Sequence, residues 1–161
     1  MTIVNIARSI RCVRTVRRLS CRGMLVVIGA LGLSIFAMGC GPVWYLDGDL
    51  GERIAAEQNK PMLVYFKSWD SSLHRNMKLQ VFENAAVKSE MMDTVNVELE
   101  FAYFPEHRKR YGVQRSQVAV MCDPQGRRVA SPIDLNPVPT PEVFLEWLRK
   151  AKTEARPPPN K

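Results

Sequence analysis

Asn59-Lys60-Pro61-Met62-Leu63-Val64-Tyr65-Phe66 is the stretch on which the fold turns. Pro61 ends any helix before it, since it has no amide donor and disfavours α geometry at the preceding residue. The five residues after it are continuously apolar or aromatic. A run that short, without polar alternation, reads as a strand buried on both faces of a sheet. Upstream, Leu50, Ile54 and Ala55 sit at helical spacing between Asp49 and Asn59, and Asn59-Lys60-Pro61 stops that helix. Downstream, Lys67-Ser68-Trp69-Asp70-Ser71-Ser72 reads as a loop that opens a second helix. Asp70, Ser71 and Ser72 are each suited to cap it. Leu73, Met77 and Leu79 mark its apolar side, and His74 is expected to face solvent.

The pattern continues in the same style. Asn84 begins a short helix with Val87, Met91 and Met92 inward. Residues 95–101 alternate as a strand with one wet face would. Pro105 to Tyr111 is a short charged helix ended by Gly112. Residues 118–122 are a second apolar strand, and Asp123-Pro124-Gln125-Gly126 has the composition of a type I turn. Arg127 to Ile133 is expected to return as its hairpin partner. Thr140-Pro141-Glu142 is a strong helix start, followed by Val143, Phe144, Trp147, Leu148 and Ala151 as a buried face. Apolar strands interleaved with helices, then a closing hairpin, predict an α/β domain: a mixed sheet with helices on both faces.

This order matches a thioredoxin fold, and short motifs add to the match. Residues 59–66 resemble the Lys-Pro strand of exported thioredoxin-like domains. Trp69 sits where their active-site Trp precedes Cys-x-x-Cys. Val81-Phe82-Glu83-Asn84 with Val87, Tyr111-Gly112-Val113, and Asp123-Pro124-Gln125-Gly126-Arg127 resemble three further segments, in order. The resemblance runs from Trp44 to Trp147. It implies a redox pair at a helix N-terminus, where a thiol pKa is lowered. Here those positions are Asp70 and Leu73, and the family's cis-proline position is Gln117. A cis peptide before a non-proline residue costs roughly 2.5–4 kcal/mol, so a trans bond is expected at Gln117. Trp69, Ser71, Ser72, Tyr111 and Gln117 are then the candidate partner-binding residues, ringing the vacated groove.

Other chemistries fare worse. Asp70, Ser71, Ser72 and His74 include the residue types of a hydrolase triad, but triads gather residues from distant segments. His74 and His107 lack metal-ligand spacing. Neither a metal nor a cofactor is expected.

The N-terminus carries a different message. Arg8, Arg11, Arg14, Arg17, Arg18 and Arg22 precede an apolar run from Met24 to Met38, which Ala37-Met38-Gly39-Cys40 closes. A charged n-region, an apolar h-region and small residues form a secretory signal. A cysteine after the small residues resembles a lipobox, which implies cleavage before Cys40 and acylation of that residue. As an uncleaved anchor the run falls short of the roughly 20 residues a bilayer needs. Arg17-Arg18 fits a twin-arginine signal poorly, since Leu19-Ser20-Cys21 follows. The expected organisation is therefore 1–39 signal, 40–47 lipidated cysteine and tether, 48–153 thioredoxin-like domain, and 154–161 Pro-rich tail.

Removing the signal changes the charge reading. The chain has 23 basic and 16 acidic side chains, for a net charge of +7. Six of the basic ones lie before Met24, where no Asp or Glu occurs, so 17 remain against 16. The basicity belongs to the targeting segment and gives no reason to expect nucleic acid. Cys12 and Cys21 leave with the signal and Cys40 is acylated, so Cys122 remains alone, read as a buried small hydrophobe. The reading is a redox-inactive, lipid-anchored module of the envelope, facing the periplasm or extracellular side, that binds a protein or peptide or acts as a scaffold. The alternative is an oxidoreductase accessory or other enzyme using Cys122 or a partner's thiol.

Overall fold

The structure, a computed structural model, describes residues 41–69 and 71–156. The expected signal, Cys40, Asp70 and the end of the tail lie outside the described residues.

The elements run β1 (Trp44–Tyr45), α1 (Gly48–Gln58), β2 (Met62–Lys67), α2 (Ser72–Asn76), a π-helical segment (Met77–Phe82), α3 (Ala85–Met91), β3 (Val95–Glu100), α4 (Pro105–Tyr111), β4 (Val118–Cys122), β5 (Ile133–Asp134) and α5 (Pro141–Ala155). One five-stranded sheet has the order β1-β3-β2-β4-β5. β3 is parallel to β1 and β2, while β4 is antiparallel to β2 and β5. The Lys-Pro strand is thus central, as its apolar run requires. Leu63 and Tyr65 face a cluster with Phe82, Met121, Phe144 and Leu148. Met62, Val64 and Phe66 face the opposite cluster with Val97, Leu99 and Tyr111.

Local chemistry sets the boundaries. Asp47 caps α1 by accepting from the Leu50 amide at 3.0 Å, and Asn59 ends it at φ 50° in the left-handed region. Gly51 lets α1 lie against β3: a Cβ there would come within 2.3 Å of Val97 Cγ2. At the 123–126 turn the Gly126 amide donates to Asp123 O at 2.9 Å.

Several expectations need correction. Residues 44–45, assigned to the tether, form an edge strand against Asn96 and Val97. The helix expected to end the domain at 153 continues to Ala155. β3 has no wet face. Asn96 is buried, donating to the carbonyls of Met91 at 3.1 Å and Thr94 at 3.3 Å, and Glu98 pairs with Lys67 at 2.7 Å. Its polar positions answer partners rather than water. The segment from Arg127 makes only an isolated bridge, Arg128 to Cys122, before rejoining β4 as Ile133–Asp134. Pro132, lacking an amide, stands just before that strand. Leu79, Met92 and Val143 are exposed rather than buried. Leu79 is two residues from both Met77 and Val81, which turns it outward. Met92 follows the last residue of α3, and Val143 lies beside the inward stripe Phe144–Leu148–Ala151–Ala155.

Candidate functional site

At the end of β2 the chain leaves the sheet through Ser68 and Trp69, and Ser71 caps α2. Ser71 Oγ accepts from the His74 amide at 3.0 Å. The same oxygen accepts from Gln117 Nε2 at 2.8 Å, 46 positions away in the chain. Gln117 Oε1 in turn accepts from the Tyr65 hydroxyl at 2.5 Å. His74 lies almost parallel to the Tyr65 ring, with centroids 5.8 Å apart, and its Nδ1 is 3.4 Å from the phenol oxygen. β2, the α2 cap and the start of β4 thus meet in one network: Ser71–Gln117–Tyr65–His74.

The backbone of Gln117 is equally constrained. Its amide donates to Phe66 O at 2.7 Å and its carbonyl accepts from Leu135 at 2.8 Å. Its φ of 60° lies in the left-handed region, which a residue with a Cβ adopts at a cost of order 1–3 kcal/mol. The cis peptide among the described residues is Asn136–Pro137, so the bond before Gln117 is trans.

Proton positions follow from the bonding. Burial pushes the Tyr65 hydroxyl well above its ordinary range, and Glu98 adds to this. The phenol therefore stays protonated and donates to Gln117, and its oxygen is left as an acceptor toward His74. In the neutral ring this puts the proton on Nδ1 and leaves Nε2 as an acceptor. Burial lowers the His74 pKa, with Lys67 and Lys78 acting the same way and Glu98 opposing. The cluster holds a fixed arrangement of donors and acceptors. It contains no thiol and, among the described residues, no group of three or more His, Cys, Asp or Glu side chains placed to hold a metal.

The expected site residues are distributed unevenly. Ser71 and Gln117 are brought together as direct partners. Trp69 is 73% exposed, in the loop just ahead of the Ser71 cap, and Ser72 is exposed at the first position of α2. Leu73, which the resemblance sets at the second thiol position, is half-buried. Tyr111 does not line this groove. It is buried in the opposite cluster beneath Phe66, with its hydroxyl on Glu52, because α4 packs on the other face of the sheet. His74, expected in solvent, is instead folded onto Tyr65. Cys122 is fully buried in β4, and burial raises its thiol pKa.

Tyr65 is the member that sequence reasoning passed over, and His74 is the one it set in solvent. A signal was present: a phenol inside a fully buried strand must find a polar partner for its hydroxyl.

No protein-family model matches the sequence, and no curated protein matches it. Solved structures do. A thioredoxin from Thermus thermophilus is 18% identical with a TM-score of 0.59, over 69% of this chain and 87% of that one. DsbH oxidoreductase is 16% identical with a TM-score of 0.60, over 71% and 87%. The oxidised C-terminal domain of DsbD from Neisseria meningitidis is 16% identical with a TM-score of 0.55, over 68% and 99%. At these identities the likeness defines the fold: this is a thioredoxin-fold protein.

Proposed function

We propose that the protein is a redox-inactive, thioredoxin-fold binding module, exported and held at the envelope membrane by acyl chains on Cys40. It docks a protein or peptide partner on the loop that carries Trp69. The observation that carries this reading is the 73% exposure of Trp69 beside a cap that is locked into the Ser71–Gln117–Tyr65–His74 network. An exposed indole on a rigid platform is a favourable anchor, since Trp is enriched among residues that dominate binding energy. Leu73 at the second thiol position, together with a buried Cys122 whose pKa is raised, supports binding over disulfide exchange.

Two measurements test it. Trp69→Ala should weaken capture of the partner from the native envelope by about 2 kcal/mol, with the melting temperature unchanged because the side chain is exposed. Insulin reduction by the protein should stay at background. Activity that disappears in Cys122→Ser would transfer the function to that thiol.

A further inference from the structure

The turn after β4 and the end of α4 border a groove that lies outside the Ser71–Gln117–Tyr65–His74 network. It is open, about 560 Å³ in volume, and its charged lining is Glu52, Lys109, Arg110, Arg127 and Arg128. Arg110 pairs with Glu52, and Arg127 pairs with Asp123 at 2.7 Å. Arg128 donates to the Tyr111 carbonyl at 2.7 Å. A Cβ on Gly112 would stand 2.9 Å from Arg128 Nη1, so the glycine keeps room for that guanidinium. Lys109 and Arg128 form no ion pair among the described residues. Four cations meet two carboxylates here, and two positive charges are left over. The chain beyond residue 23 carries 17 basic and 16 acidic side chains, so the groove gathers cations that the rest of the surface balances.

Strand register fixes the end of the sheet at which this turn lies. Cys122, just before the turn, pairs with Met62, the first residue of β2, and Met62 pairs with Val95, the first residue of β3. Trp44 of β1 pairs with Asn96, one residue further on. The chain coming from Cys40 therefore joins the sheet at the end where the 123–127 turn leaves it. Four residues separate Cys40 from Trp44, a reach of at most about 14 Å. β4 stands three strand spacings from β1, or about 14 Å. Asn96 donates to the carbonyls of both Val43 and Met91, and the neighbouring side chains of Val43 and Met92 are exposed apolar groups at this same end. Lys67, two residues before Trp69, pairs with Glu100 at the opposite end, six strand residues or about 20 Å away.

We propose that this groove takes the phosphate of an anionic phospholipid headgroup, with Lys109 and Arg128 as its donors. This rests on the anchoring at Cys40 and adds which end of the domain meets the bilayer. Arg128 spends one of its five N–H groups on Tyr111 O and keeps others for the phosphate oxygens. The short tether holds these cations within reach of the surface where such headgroups are concentrated, and basic residues near an anionic surface each add to the attraction. An acyl anchor together with a basic patch is the two-signal arrangement that makes membrane attachment stable. The Trp69 loop, at the other end of β2, is then turned away from the lipid.

Native mass spectrometry of the membrane-extracted protein in detergent micelles reads the groove and the anchor together. The micelles are titrated with phosphatidylglycerol or with phosphatidylcholine, and parallel samples receive inorganic phosphate or a hexaglutamate peptide. Phosphatidylglycerol adducts should form at lower lipid concentration than phosphatidylcholine adducts. Lys109→Gln should weaken phosphatidylglycerol binding about fivefold, with the melting temperature unchanged because the side chain is exposed. Arg128→Gln should weaken it at least as much, its melting temperature being measured alongside. Lys150→Gln removes the same charge from α5, on the other face of the sheet, and should leave binding unchanged. Equal binding of the two lipids, full binding by Lys109→Gln, or an equal loss in Lys150→Gln overturns the proposal. Binding of inorganic phosphate or hexaglutamate without phosphatidylglycerol also overturns it, in favour of a free-anion or a protein site. The same spectra give the mass of the chain. An acylated chain starting at Cys40 without selective adducts overturns the groove and leaves the anchor standing. A chain that keeps residues 1–39 overturns the anchor, and the loss or retention of adducts in Lys109→Gln then decides the groove by itself.

Discussion

Tyr65 carries a hydroxyl into the middle of an apolar strand, and the Gln117 amide is what makes that tolerable. Removing the hydroxyl in Tyr65→Phe leaves Gln117 Oε1 buried without a donor, which should cost about 1–3 kcal/mol. Urea unfolding measures it, and replacing Gln117 with Met in the same chain should recover part of the loss because both polar partners are then gone. His74 adds a pH dependence. Burial lowers its pKa below the ordinary value of about 6.5. The unfolded chain therefore binds the proton more tightly, so the His74 contribution is fully present above that value and is lost as pH falls through the depressed pKa. His74→Gln should flatten the acid side of the stability curve as pH falls below about 6.5. An unchanged slope would show that the ring is not held as described.

At the scale of elements, helix α1 lies close against strand β3. Gly51→Ala improves intrinsic helix propensity by about 1 kcal/mol. Its new Cβ would nevertheless stand 2.3 Å from Val97 Cγ2. Overpacking of that kind costs about 1–3 kcal/mol, so the melting temperature should drop, and Val97→Ala in the same chain should restore part of it. A rise in melting temperature would mean that α1 moves freely on the sheet. α5 is attached differently. Lys152, buried near the end of the helix, donates to Glu90 Oε1 at 2.7 Å and Glu90 O at 3.0 Å on α3. Those bonds hold the Glu90 carboxyl below its usual range.

At the scale of the whole molecule, the proposed export and anchoring are open to direct measurement. Cleavage before Cys40 with acylation of its sulfur is expected, because small residues precede a cysteine at the end of a short apolar run. Intact-mass measurement of membrane-extracted protein checks this, and Cys40→Ser should move the chain out of the membrane fraction. A mature species that keeps residues 1–39 would remove the anchor. Among the described residues no helix is long and apolar enough to cross a membrane.

The sequence by itself determined the fold class. An apolar run after Lys-Pro makes a central strand, and the residues of the turns and caps place most helices, because burial and local backbone chemistry act over a few positions. The resemblance sets Asp70 and Leu73 at the positions of the family's two thiols. Only the tertiary structure decided which side chains Ser71 and Gln117 bond. Gln117 reaches Ser71 across 46 positions and Tyr65 across 52. No periodicity records such a distance, and it exists only once β2 and β4 pair. The same holds for β3, whose alternation suggested water on one face. The polar side chains are covered because neighbouring strands and helices supply Lys67 for Glu98 and backbone carbonyls for Asn96. Tyr111 makes the same point in reverse: its motif placed it in sequence beside the groove, but the packing of α4 put it on the far side of the sheet.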